Sequence, residues 1–151
     1  MSQPYSLLEL ASVREGDSVG QTLAFAGHFA PRLYREAINL YRSQFQPSDI
    51  LKKPYVMLAV PAIPAETDEE ARFLATTSYQ RILSLFRGQP LWMRPPVESM
   101  DGLWNAGEKA GVQDFLSLQL LGSADTIRKQ LDQLLASVEV DELMFTIDLY
   151  D

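Results

Sequence analysis

The sequence contains no cysteine and only one histidine, His28, among its 151 residues. The absence of cysteine excludes disulfides, thiolate metal sites, iron–sulfur clusters and cysteine nucleophiles. A single histidine also excludes zinc sites of the HExxH type and any other site with several histidines. A magnesium or calcium site made only of carboxylates stays possible, but no EF-hand loop is present. We therefore predict no metal-binding residues.

Positive charge is scarce as well. The chain has 13 Lys and Arg against 20 Asp and Glu, a formal net charge of −7 and a pI of about 4.7. The basic residues are scattered, and the densest group is the pair Lys52 and Lys53. Nucleic acids and anionic membranes favour clustered Lys and Arg, so neither is expected as a partner.

Long apolar runs and targeting signals are also missing. No apolar run approaches the roughly 18 residues of a transmembrane helix. The N-terminal stretch MSQPYSLLELASVREGD lacks the basic and apolar regions of a signal peptide. Hydrophobic residues make up 46% of the chain, which is typical of a globular protein. We expect one soluble, cytoplasmic domain that spans residues 1–151.

Apolar segments that suit strands alternate with segments of helical periodicity. Residues 55–60 are uniformly apolar, as in a strand covered on both faces, and Pro61 and Pro64 are expected to end that strand. Thr67 and Glu70 have the spacing of a helix capping box. The predicted order is strand 23–29, helix 31–44, strand 55–60, helix 67–88, helix 106–118, short apolar run 118–121, helix from 123 and strand 143–150. This alternation predicts an α/β fold with a parallel sheet.

The stretch TLAFAGHFAP places His28 where an apolar strand ends and a helix begins at Pro31. The end of a strand is where parallel α/β enzymes carry their chemistry, and His is the side chain that titrates near neutral pH. His28 is therefore a candidate functional residue. The alternative is a packed histidine whose nitrogens are satisfied by backbone groups.

Three further features allow both a functional and a structural interpretation. Gly122 and Ser123 open a helix, where free N–H groups can hold a phosphate or simply form an N-cap. The loop 89–104 holds both tryptophans and suits a lid, a substrate wall or a dimer contact. Four carboxylates lie near predicted strand ends but have no defensible acid/base spacing, so they are interpreted as solvated surface: Glu98, Asp101, Asp148 and Asp151.

Several segments, taken in order, resemble one family. They are LAFAGHFAP, YREAINLYRSQFQPSDILKKPYVMLAV, PAETDEEARFLAT, PPVESMDGLW, LLGSADTIRKQL and DELMFTIDLYD. From about Gly20 onward, the chain resembles the C-terminal half of the bacterial luciferase-like, flavin-dependent monooxygenases. No single segment is a strong signature, but the ordered set is specific.

The resemblance implies a partial TIM-type (β/α) barrel, with about the last three of eight strands and their helices. It also implies reduced FMN as the cofactor, with a deazaflavin less expected, and O₂ oxidation of a small organic substrate. Gly27, His28 and Phe29 would contact the cofactor, and His28 would be catalytic. A flavin reductase is a possible partner, because reduced flavin must be supplied.

The chain is also short for this family. A TIM barrel typically needs about 250 residues, and the family's N-terminal half, flavin phosphate loop and closing helix have no counterpart here. Three strands leave open edges and apolar surface, so we expect a homodimer or a second chain that supplies the missing half. The alternatives are a non-catalytic, dimerising remnant that binds flavin or nothing, and a fragment of a longer gene product.

Overall fold

The computed structural model describes residues 22–150, and the predicted order of strands and helices is confirmed within this range. The strands are β1 (Leu23–Ala26), β2 (Val56–Pro64), β3 (Leu120–Gly122) and β4 (Glu142–Thr146). The helices are α1 (Tyr34–Gln44), α2 (Asp68–Phe86), α3 (Ala106–Phe115) and α4 (Ala124–Ser137). Residues 1–21 and the candidate carboxylate Asp151 lie outside the described residues.

The strands form a parallel sheet around β2, as the α/β prediction required. β2 pairs with β1 along residues 56–59, with β4 along 57–61 and with β3 along 62–64. Residues 57–59 pair with both β1 and β4, so these two strands lie on opposite edges of β2. The carboxyl ends of the strands consequently meet at one end of the sheet.

β2 is longer than predicted, because Pro61 does not interrupt it and the strand continues to Pro64. Pro61 pairs with Thr146, the last residue of β4, and Pro64 pairs with Gly122, the last residue of β3. Proline is tolerated where a ladder ends, since no further N–H is needed there. The expectation that Pro61 ends the strand was therefore wrong.

Four other elements are shorter than predicted. β1 stops at Ala26, where the Phe29 amide donates to the Ala26 carbonyl at 3.0 Å and turns the chain. The helix expected from Pro31 begins only at Tyr34, because residues 31–33 form a turn. Helix α3 and strand β4 end at Phe115 and Thr146, before the predicted ends 118 and 150.

The core has two parts. The first packs one face of the sheet against α1 and α4, with Ile38, Val56, Leu58 and Val60 fully buried. The second packs α2 and α3 against residues 97–104 of the long loop. No helix in residues 22–150 is both long enough and apolar enough to cross a membrane.

Asp68 joins the N-terminus of α2 to that of α4. Its carboxylate accepts hydrogen bonds from the Ser123 amide at 2.7 Å and from the Thr126 hydroxyl at 2.9 Å. The close approach also requires glycine at position 122, because a Cβ there would lie 2.7 Å from Asp68 Oδ1. The bonds from Ser123 and Thr126 lower the pKa of Asp68 below its ordinary value.

We expect Asp68→Ala to lower the unfolding temperature by several degrees at pH 7. A lowered carboxyl pKa stabilises the fold above the ordinary value of about 3.9 and loses that effect as pH falls through the folded-state pKa. The deficit of the variant should therefore shrink below about pH 4. Thermal unfolding followed by circular dichroism between pH 2 and 7 measures both effects.

The matched control is Asp125→Ala, which removes an exposed carboxylate from the first turn of α4. Exposed ion pairs contribute little, so this variant should unfold close to the parent. Equal losses for the two variants at every pH would contradict the assigned role of Asp68.

Candidate active site

A cavity of about 270 Å³ lies at the carboxyl ends of β1, β2 and β4. The residues after β1, the second half of β2 and the residues at the end of β4 contribute one wall each, and α2 closes another side. Its polar lining residues are His28, Ser78, Arg81, Gln119, Thr146 and Asp148. The cavity therefore lies where a parallel α/β fold places binding sites.

His28 lines this cavity from within the turn that ends β1. Its Nδ1 atom is buried and has no hydrogen-bond partner among the described residues. Its ring lies 4.1 Å from the ring of Phe29, measured between centroids. A packed histidine satisfied by backbone groups would have a bonded Nδ1, so this geometry favours the functional interpretation of the residue.

Burial lowers the pKa of His28 below its ordinary value. The carboxylate of Asp148 acts in the opposite direction and raises it, whereas the guanidinium of Arg81 lowers it. Desolvation is the largest of the three effects. His28 is consequently neutral at pH 7, with one ring nitrogen able to donate and the other able to accept a hydrogen bond.

Ser78 supplies a second unpartnered polar atom to the same cavity. The residue is 6% exposed, and its hydroxyl has no hydrogen-bond partner among the described residues. An unpaired buried hydroxyl costs about 1–3 kcal/mol. These two atoms are the buried side-chain N and O atoms of residues 22–150 that lack a partner, and both belong to residues that line the cavity.

Arg81 and Asp148 form an ion pair at the cavity wall. Their side-chain nitrogen and oxygen are 3.1 Å apart, and the two side chains are 32% and 45% exposed. This degree of exposure makes the pair a small contribution to stability. The two charges cancel, so the cavity has no unpaired charged side chain along its lining.

The remaining lining is mostly apolar. It comes from Phe29, Pro61, Ala62, Ile63, Ile82, Leu85, Leu91, Phe115 and Leu116. Apolar walls with a few convergent polar groups are typical of sites for small organic molecules and cofactors. The arrangement can hold an uncharged organic ligand, exclude water from it and offer it two hydrogen bonds.

The other two residues predicted to contact a cofactor occupy different positions. Phe29 is 68% exposed and lines the cavity. Gly27 is buried and does not border it, and a Cβ there would lie 2.4 Å from Leu118 and 2.7 Å from the Ala59 carbonyl oxygen. Close packing explains the glycine at this position without a ligand.

The alternative sites from the sequence are used structurally. The Ser123 amide donates to the carboxylate of Asp68. This negative charge would repel a phosphate at the start of α4. Of the long loop, Leu91 lines the cavity, while Trp92 is 70% exposed. Among the four carboxylates, Asp148 belongs to the cavity, and the interpretation of it as solvated surface was therefore incomplete.

Sequence reasoning missed Ser78 and Arg81. Ser78 shares a helical face with apolar residues such as Ala75 and Ile82, so its position in the sequence resembles a core position. A hydroxyl within an apolar stripe was the available signal, because a buried polar group needs a partner. Arg81 carried no comparable signal, since its partner Asp148 is remote in sequence.

We expect the single histidine to titrate below its ordinary pKa of about 6.5, because burial opposes its charge. Asp148→Asn should lower the pKa further, whereas Arg81→Met should raise it. The chemical shift of the only imidazole Cε1 proton, followed by NMR against pH, measures all three values. A titration at the ordinary pKa that neither substitution moves would contradict this arrangement.

Comparison with known proteins finds relatives that match nearly all of this chain. The chain is 37% identical over 142 residues to a luciferase-like monooxygenase of Escherichia coli (strain K12), which covers 94% of this chain and 42% of the relative. It is 40% identical over 140 residues to the uncharacterized protein YvbT of Bacillus subtilis (strain 168), which covers 93% and 42%. No family model matches the chain.

The fold is also similar to a solved structure, the crystal structure of apo-MsnO8. The TM-score is 0.70 at 25% sequence identity, and the match covers 88% of this chain and 41% of that one. The chain thus spans about two fifths of the length of the relatives it matches. The resemblance to the luciferase-like monooxygenases is confirmed, over a stretch consistent with the C-terminal half of that family.

Proposed function

We propose that this chain forms part of a flavin-dependent monooxygenase site and that the cavity holds the ring system of FMN or the substrate beside it. The observation that carries the proposal is the pair of unpartnered polar atoms, His28 Nδ1 and Ser78 Oγ, on residues that line one apolar cavity. The similarity to proteins named luciferase-like monooxygenases supports the same class of chemistry.

The residues present fit a flat, uncharged ring. Aromatic and aliphatic side chains such as Phe29 and Leu116 supply apolar contact, and two polar atoms have no hydrogen-bond partner within the described residues. The volume of about 270 Å³ lies just below the range of about 300–1,000 Å³ for ligand pockets. It suits a ring system better than a whole nucleotide, so the ribityl phosphate would extend beyond the cavity.

Reduced flavin, when bound, supplies the electrons that activate O₂ and allow an oxygen atom to be transferred to an organic substrate. This chain would contribute the environment. The apolar walls would exclude water, and neutral His28 would donate or accept a hydrogen bond or move a proton at Nδ1. We propose a small organic substrate and a flavin reductase as the source of reduced flavin. A deazaflavin is the less favoured cofactor.

We expect FMN to bind saturably and His28→Ala to weaken binding about threefold to tenfold, the range for one hydrogen bond. His28→Asn places a polar atom near the position of Nδ1 and should recover part of the lost affinity. Titration of the purified chain with oxidised and with dithionite-reduced FMN, followed by absorbance and fluorescence, measures these affinities.

Tyr55→Phe serves as the control for these variants, since Tyr55 lies just before β2, at the opposite end of the strand from the cavity. It should bind FMN as the parent does. Absence of saturable binding at millimolar FMN would contradict the proposal for the isolated chain and favour the alternative of a structural remnant.

We also propose that a second polypeptide, either another copy or a chain with the missing barrel half, covers β4. Three apolar side chains in and after this strand, Met144, Phe145 and Ile147, are 47%, 45% and 55% exposed. Within residues 22–150, the edge of β4 away from β2 has no strand partner. Such edges tend to pair with another chain, and a completed TIM-type barrel would remove the edge altogether.

We expect the chain to associate in solution and Met144→Lys to shift it toward the monomer, because a charge on an edge strand opposes pairing. Ile50→Lys is the control, since Ile50 is 96% exposed and does not lie in the sheet. Sedimentation velocity measures the particle size. A parent chain that sediments as a compact monomer would contradict association with another copy.

A further inference from the structure

Ser78 differs from the buried polar residues beside it on α2. Thr76 donates to the Phe73 carbonyl at 2.7 Å and accepts from the Val97 amide at 2.9 Å. Thr77 donates to the Arg94 carbonyl at 2.9 Å, and Gln80 Nε2 donates to the Pro95 carbonyl at 3.0 Å. These side chains attach the long loop to the helix. Ser78 lies among them with no hydrogen bond.

The position of Ser78 explains the difference. The loop-binding residues face the segment 94–97, whereas Ser78 borders the cavity with His28 and Ile82. A serine hydroxyl has three staggered rotamers, and rotation about χ1 can direct it toward a ligand. Because buried polar groups are nearly always bonded, an unbonded hydroxyl at a cavity wall indicates a partner that enters the cavity.

The charges around the cavity indicate the chemistry of that partner. Arg81 is the one cationic side chain that lines it, and Asp148 neutralises this cation at 3.1 Å. His28 is neutral at pH 7 because burial lowers its pKa. An anionic group would gain little here, whereas an uncharged ring with hydrogen-bonding edges would satisfy both Ser78 and His28.

We propose that Ser78 is a binding residue that, together with His28, hydrogen-bonds the uncharged ring of oxidised flavin. The ring would then supply most of the binding energy, and the phosphate would supply little. This inference rests on the proposed flavin function. It further implies that the hydroxyl is retained at a cost to the stability of the ligand-free chain, since function commonly maintains such unfavourable groups.

The test compares Ser78→Ala with Ser84→Ala. Ser84 is also buried, at 3% exposure, on the same helix but away from the cavity. Both variants gain the higher helix propensity of alanine, so their difference isolates the unbonded hydroxyl. We expect Ser78→Ala without ligand to unfold about 2–4 °C above Ser84→Ala, as measured by calorimetry.

The second arm measures the dissociation constants of FMN and riboflavin by fluorescence. The two dissociation constants of the parent should agree to within about threefold, because an arginine already paired with a carboxylate adds little to the binding of a phosphate. Ser78→Ala should weaken both by about threefold to tenfold, and Ser84→Ala should weaken neither. This pattern, together with the thermal result, would support the inference.

Each contrary result identifies what has failed. Equal flavin affinities for Ser78→Ala and Ser84→Ala would overturn the role of Ser78, and so would equal unfolding temperatures for these two variants. If the parent still bound FMN, the proposed function would stand. FMN binding more than about tenfold tighter than riboflavin binding would overturn recognition of the ring, since that ratio corresponds to about 1.4 kcal/mol from the phosphate. No binding of either flavin by the parent would overturn the proposed function itself, and the inference with it.

Discussion

The pairing of β2 with three other strands is the constraint on which the rest of the structure depends. β1 and β4 pair with opposite edges of this strand, and β3 pairs with its last three residues. The side chains of Val56, Leu58 and Val60 are fully buried. Because every ladder is parallel, the carboxyl ends of the strands share one end of the sheet. The cavity lies there because of the pairing, and its polar residues reach it from segments far apart in sequence.

Helix α2 combines two tasks that place opposite demands on its polar residues. Thr76, Thr77 and Gln80 form hydrogen bonds with backbone groups of the long loop, so their burial costs little free energy. Ser78 has none, although it lies between them in sequence. Successive residues of a helix point about 100° apart, so one helix can fix a loop with one face and present an unsatisfied hydroxyl to a cavity with another.

The sequence predicted what depends on local patterns and missed what depends on register and remote contacts. The order of strands and helices followed from apolar periodicity. Pro61 was expected to end β2 because proline cannot donate an N–H to a neighbouring strand. Whether that N–H is needed depends on the strand pairing, here with Thr146, the last residue of β4. The bond from the Ser123 amide to Asp68 spans 55 residues, and no local pattern indicates it. His28 could be placed at the site, whereas Ser78 resembled a core position.

The exposed surface of β4 and the chemistry of the cavity are physically linked. Thr146 and Asp148 line the cavity, and the same short segment carries the exposed side chains of Met144 and Ile147. A polypeptide that covered β4 would also shield the ion pair between Asp148 and Arg81 from water. Both the pair and any hydrogen bond to His28 would then act in a lower dielectric, where electrostatic interactions are stronger. Association would therefore do more than bury apolar area. It would also exclude water from the cavity and strengthen the electrostatic interactions within it.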